Sequence, residues 1–249
     1  MAAVLAFDIE TIPDVAGIRR LHGLPADLPD REVAELAFQM RRTKTGSDFL
    51  PPQLQKVVVI SCVLRNDDGI RVFSLEGEER DVIQRFFDGI EKFVPQLVSW
   101  NGGGFDLPVL NYRGLIHGVD ASRFWEPGRN NYYGRYQDQH LDLMDVLGMY
   151  QPRNSAPLDD VAQLVGFPGK IGIGGAKVWE TWLAGESAKI RDYCEADTAN
   201  TYLLFLRYQL LRGAFSKNVY EKESKILRSY LQEQNKPHWR EFLKLWNEA

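Results

Sequence analysis

The chain has 249 residues, 44% of them hydrophobic and 26% charged, with a formal net charge of −4. That length can bury one large core, and no run of about 18 apolar residues offers a membrane span. The acidic balance excludes a protein that coats duplex phosphate with its whole surface, while an enzyme that grips a few phosphates through local positive charge and bound cations stays open. The opening MAAVLAFDIE lacks the basic start, apolar middle and small-residue cleavage site of a secretory signal, so the expected location is cytoplasmic. Cys62 and Cys194 form neither a disulfide framework nor a zinc spacing and are expected to be packing residues.

Residues 3 to 7 form a nearly continuous apolar run, the pattern of a central strand covered on both faces, and the strand is expected to end in Asp8 and Glu10. A polar, proline-marked stretch from Pro13 to Pro52 follows and reads as an insertion, weakly helical near REVAELAFQM and looped at TKTGSDFLPP. KVVVISCVL and GIRVFSL read as two strands joined through an Asp-Gly turn. ERDVIQRFFDGIEKFV gathers Val82, Ile83, Phe86, Phe87, Ile90, Phe93 and Val94 on one helical face, and the strand QLVSW comes next. The segment NGGGFD leads into the helix LPVLNYRGLI, whose Pro108 is tolerated in the first turn. HLDLMDVLGMY suggests a strand and a helical turn, LDDVAQLVG and AKVWETWLAG are short helices, and a long helix ends at Gly213. Three leading antiparallel strands followed by alternating helix and strand predict an α/β protein. Its mixed five-stranded sheet is flanked by helices, as in the ribonuclease H-like fold. The expected organisation is one such domain over residues 1–217, with an insertion at about 13–54, and a helical extension over 218–249 packed on it.

Residues two apart in a strand point the same way, so Asp8 and Glu10 share one side. Asp106 follows the fourth strand, and in the last long helix Tyr193 and Asp197 are four apart on one face. Strand ends of an open sheet line its functional crevice, so five polar groups are expected to converge there. Four carboxylates stay ionised in one cleft only beside cations, and oxygen-only ligands suit Mg²⁺ or Mn²⁺. Two such ions, about 3.5 to 4 Å apart, imply phosphodiester hydrolysis with the attacking and leaving oxygens both clamped.

The segments FDIET, NGGGFD and YCEAD resemble the three exonuclease motifs of the DEDD superfamily, tyrosine branch, in the form used by the proofreading domain of family B DNA polymerases. Asp192 stands where the histidine branch would place its histidine. The resemblance implies a 3′-5′ exonuclease that releases nucleoside 5′-monophosphates from single-stranded 3′ ends, with DNA as the expected strand and no membrane partner. It implies two divalent cations, Mg²⁺ or Mn²⁺, on Asp8, Glu10, Asp106 and Asp197, with Asp8 bridging them, and Tyr193 orienting the nucleophile. Substrate contacts are expected at Thr11, Asn101, Phe105 and Lys170. An RNA exonuclease is the alternative within the class, and a catalytically inactive nucleic-acid-binding module the alternative outside it; retention of all four acids favours activity.

Other motifs carry less. GKIGIGGAK resembles a phosphate loop, but Ile171 follows Lys170 where Ser or Thr is needed, leaving an amide-rich turn with Lys170 or Lys177 near a phosphate. His140, Asp142 and Asp145 are read as structural, because more acids would overload the site. SRFWEPGRNNYYGRYQ interleaves Arg123, Arg129 and Arg135 with aromatics, which suits either single-stranded nucleic acid or a packed irregular loop. Arg41, Arg42 and Lys44 are read as a solvated face.

Overall fold

The computed structural model describes residues 3–128 and 131–246. Its strands are β1 (Val4–Pro13), β2 (Gln55–Asn66), β3 (Gly69–Leu75), β4 (Gln96–Ser99) and β5 (His140–Asp142). They form one sheet in the order β3-β2-β1-β4-β5, with β3-β2-β1 antiparallel and β1-β4-β5 parallel. This is the mixed sheet expected from the element order, flanked by helices. The β2–β3 turn is tight: Asn66 pairs with Gly69, and Gly69 takes a φ of 131° that disfavours a side chain.

The first strand is longer than its apolar run. It does not end at the two acids but continues to Pro13, because Thr11, Ile12 and Pro13 stay in register with Val57, Lys56 and Gln55 after an irregularity at Glu10/Thr11. What does end is its other partner: β4 pairs only with Val4, Leu5 and Ala6. Beyond Ala6 the sheet is open on that side, so the acids still border a crevice. Because β1 keeps Pro13, the segment that joins β1 to β2 starts at Asp14. It holds α1 (Val15–His22), which the polar composition concealed, and α2 (Asp30–Thr45), longer than the weak helical pattern suggested.

Period-two alternation divides β1 between two cores. Val4 and Ala6 face the long helix α8 (Ser187–Leu211), whereas Leu5, Phe7 and Ile9 face α3 (Glu79–Phe93) and α4 (Asp106–His117). Asp8 and Glu10 have the parity of Val4 and Ala6, which aims them at α8. That helix is buried nearly all round, because α9 (Lys217–Gln234) and α10 (Pro237–Leu245) cover its far side with Leu227, Leu231, Trp239 and Phe242. The remaining helices, α5 (Leu143–Leu147), α6 (Leu158–Val165) and α7 (Val178–Leu183), are short and link β5 to α8.

A buried ionic cluster joins the pieces that carry the acids. Arg113 of α4 is 3% exposed; it donates to Glu79 at 2.7 and 2.5 Å and to Asp14 at 2.5 Å. Glu79 also accepts the Val57 N–H at 2.7 Å. Asp14 directly follows β1 and caps α1 through the Gly17 N–H. One guanidinium therefore ties α4 to the far end of β1 and to the start of α3. Removing it would leave two buried carboxylates without their cationic partner. Arg113→Met is expected to lower unfolding free energy by about 3–5 kcal/mol in chemical denaturation, and Arg113→Lys to recover only part, since an ammonium cannot repeat the two-sided fork.

Candidate active site

Three elements bring the acids together. Strand β1 supplies Asp8 and Glu10, the first residue of α4 supplies Asp106, and α8 supplies Tyr193 and Asp197. The contact that closes the chain on itself is the Ile9 N–H, which donates to Asp106 Oδ1 at 3.2 Å across 97 positions. That amide lies past the end of β4 and would otherwise be orphaned. From α8, the Cys194 thiol approaches the Asp8 carbonyl at 3.5 Å and Asp8 Oδ2 at 3.6 Å. Cys194 was expected only to pack; it also contacts an acid, and its Sγ lies within 4.8 Å of ligand atoms of Asp8 and Glu10.

Asp106 and Asp197 are buried, and Asp8 and Glu10 half-buried. Burial, followed by the charges of Asp106, Glu10 and Asp197, holds the Asp8 carboxyl far above the usual range. Glu10 is likewise raised by burial, then by Asp197 and Asp106, with Lys170 opposing. Burial pushes Asp106 up to about 7 against the amides of Asp106 and Ile9, and Asp197 up to about 6 against Tyr193 and Lys170. The Tyr193 hydroxyl is raised by burial and then by the charge of Asp197, so it stays protonated at any working pH.

The acids border a two-lobed cleft. The larger lobe, ≈ 1300 Å³, and the smaller, ≈ 590 Å³, share Asp8, Trp100, Asn101, Gly104 and Asp197. Thr11, Phe105 and Tyr193 line the smaller lobe and Lys170 the larger, so all nine expected site residues border the cleft. Not all are free. The Thr11 hydroxyl donates to Gln55 Oε1 at 2.9 Å, and the Phe105 ring packs on Phe49, in the segment between β1 and β2, at 5.2 Å. Lys170 stands beside Glu10 and Asp197; the Lys177 carbonyl instead accepts the Thr181 hydroxyl of α7.

The turn before Asp106 is built on a residue read as structural. Asp142, at the end of β5, accepts the N–H groups of Asn101 and Gly103 at 2.9 Å each, and Asn101 takes a φ of 64°. A Cβ on Gly102 would lie 2.3 Å from Ser99 Oγ, which itself meets His140 Nε2 at 2.8 Å. Burial lowers His140 to about 4, leaving a neutral imidazole for that contact. The Lys170 turn is pinned from α8: Asn200 accepts the Gly169 N–H at 3.3 Å and donates to the Gly169 carbonyl at 2.7 Å. These supports join residues far apart in the chain and leave no local signal. In the aromatic segment, Arg123 pairs with Glu126 and Arg135 with Asp145; Arg129 lies outside the described residues. In the smaller basic group, Arg42 pairs with Asp48.

The sheet order and the crevice beside β1 define an α/β protein of ribonuclease H-like fold with an acidic centre. The chain belongs to the family of predicted 3′-5′ exonucleases related to the exonuclease domain of family B DNA polymerases, which matches residues 47–246. A DNA polymerase of Archaeoglobus fulgidus is 30% identical over 188 residues, covering 71% of this chain and 23% of that protein. The catalytic polypeptide of DNA polymerase epsilon from Aspergillus fumigatus is 26% identical over 222 residues, 82% of this chain and 9% of that one. The family B DNA polymerase of Pyrobaculum calidifontis shares the fold, with a TM-score of 0.55 at 24% identity over 84% of this chain and 25% of that chain. The chain thus spans less than a quarter of each of these two polymerases. Among the described residues no helix is long and apolar enough to cross a membrane.

The raised acids make stability depend on pH in a definite direction. The folded chain holds protons on Asp106 and Asp197 that the unfolded chain releases near 3.8, so stability present at low pH is lost as pH rises through about 6 and 7. In EDTA, the Asp106→Asn/Asp197→Asn variant is expected to have the flatter profile of unfolding midpoint against pH and the higher midpoint at pH 7.5. Gly102→Ala is expected to destabilise by about 1–3 kcal/mol in denaturant titration, because Ser99 cannot yield without breaking its contact with His140.

Proposed function

We propose that the protein is a metal-dependent 3′-5′ exonuclease. It hydrolyses phosphodiester bonds at the 3′ end of single-stranded nucleic acid, DNA in the first place, and releases nucleoside 5′-monophosphates. The observation that carries this reading is the gathering of four carboxylates from three elements on one cleft, where burial raises all four, the charges of Asp106 and Asp197 further suppress the ionisation of Asp8 and Glu10, and Lys170 stands beside them. Such a set is suited to hold hard divalent cations, Mg²⁺ or Mn²⁺, two of them in this reading. The donors fit that role. They are oxygens, and Asp197 Oδ1 is buried without a hydrogen-bond partner among the described residues. Cations bound there would supply charge neutralisation, a nucleophilic water at neutral pH and a counter-charge for the leaving oxygen.

The chain's own groups then have distinct tasks. Asp8, Glu10, Asp106 and Asp197 serve as ligands in deprotonated form, so cation binding must displace protons. Tyr193 cannot act as a base, since burial and its acidic neighbours keep its proton on; it orients the attacking water through that hydroxyl, the tyrosine-branch arrangement. Lys170 offers the positive charge for a phosphate, Asn101 and Thr11 polar groups for the sugar-phosphate, and Phe105 an apolar surface for the terminal base. Residues 1–217 would form the catalytic domain, with 218–249 as a helical buttress on α8.

The test incubates 5′-labelled single-stranded DNA and RNA with Mg²⁺, Mn²⁺ or EDTA. Stepwise shortening from the 3′ end is expected with metal, none in EDTA, and none with Asp8→Ala. Tyr193→Phe is expected to slow turnover about 10- to 100-fold through lost orientation, with metal affinity by calorimetry unchanged. Internal cleavage, or equal shortening by Asp8→Ala, would reject the reading. Faster shortening of RNA would move the substrate to RNA.

A further inference from the structure

The larger lobe extends away from the acids to a wall that the catalytic reading does not use. There Trp125 and Tyr133, 51% and 45% exposed, stack on each other with ring centroids 5.3 Å apart and planes 26° from parallel. Two large aromatic faces in a cleft are held in water at a hydrophobic penalty, so the supports beneath them are informative. They are rigid. Phe124, buried, meets the Trp125 edge at 5.4 Å and stacks on Tyr132 at 5.8 Å, and the Tyr132 hydroxyl donates to the Pro95 carbonyl at 2.9 Å. The core thus backs Trp125 through Phe124, and both rings of the pair line the cleft. Beside it, Asn111 Oδ1 is a buried acceptor without a partner among the described residues, on the same lobe.

We propose that the Trp125–Tyr133 pair is a stacking platform for a nucleobase of the substrate strand upstream of the 3′-terminal nucleotide, with the Asn111 amide available to that base's polar edge. The inference rests on the nucleic-acid reading of the acidic centre. Every base presents a π-face, so such a platform grips a strand without reading its sequence. It also answers a charge problem. Arg123 and Arg135 are each paired with a carboxylate, and Lys170 stands beside the acids, so at this wall a strand gains from affinity that does not depend on free positive charge. Stacking supplies that.

Two measurements decide it. The wild type in EDTA is irradiated with single-stranded oligonucleotides carrying one 5-iodouracil at successive positions, and cross-linked peptides are mapped by mass spectrometry. A cross-link to Trp125 or Tyr133 is expected from one interior position and not from the 3′-terminal one. In metal-supported turnover, Trp125→Ala is expected to raise KM about 10-fold for a long strand, with kcat little changed and the ratio of variant to wild type insensitive to salt. The effect falls away as the strand is shortened past the platform, and Trp125→Phe restores most of the loss. Equal KM values for wild type and Trp125→Ala on long strands, with the wild type turning over, would overturn the platform alone. Cross-linking at Trp125 by a wild type that never turns over would uphold the platform and reject the catalytic reading.

Discussion

Four carboxylates pressed into one partly dry cleft repel one another, and the rest of the structure is organised around holding them there. The amide of Ile9 donating to Asp106 is the point where this is achieved most directly. A parallel partner strand stops three residues into its pairing with β1, an edge amide is freed, and the first residue of a helix nearly a hundred positions on accepts it. The same termination of β4 opens the crevice and gives Asp106 its anchor. Buried in this way, the acids are a source of instability that a bound cation would relieve, as a binding site for charge requires.

Rigidity comes from polar groups that are themselves buried. Arg113 locks α4 to the far end of β1 through Asp14 and to the start of α3 through Glu79. Asp142 holds the turn ahead of Asp106 by two amides, and Asn200 holds the turn that carries Lys170. Each acts on a backbone segment one step removed from the acids. Losing one would displace a carboxylate without removing it, so function would fall further than the number of lost contacts suggests.

Much of this was legible along the chain. The alternation in LAFDIET set Asp8 and Glu10 on one face, the four-residue spacing set Tyr193 with Asp197, and the element order predicted the mixed sheet; these signals are local, and local geometry carries them. The length of β1 was not legible, since TIP pairs through its backbone with residues more than forty positions away. Helix α1 was hidden by a sequence with few apolar positions, of which only Ile18 is buried. Cys194 gave no sign of touching Asp8, because its direction depends on how α8 crosses β1. Asp142 was read as structural, which its two amide contacts bear out, but which backbone it holds emerges only when β5 lies next to β4.

The central claim is that these acids share hard cations, and anomalous diffraction from crystals grown with Mn²⁺ tests it most directly. Manganese peaks are expected between Asp8, Glu10, Asp106 and Asp197, and are lost in crystals of Asp8→Ala. A cleft with no anomalous signal at saturating Mn²⁺, its carboxylates arranged as they are in the metal-free chain, would contradict it.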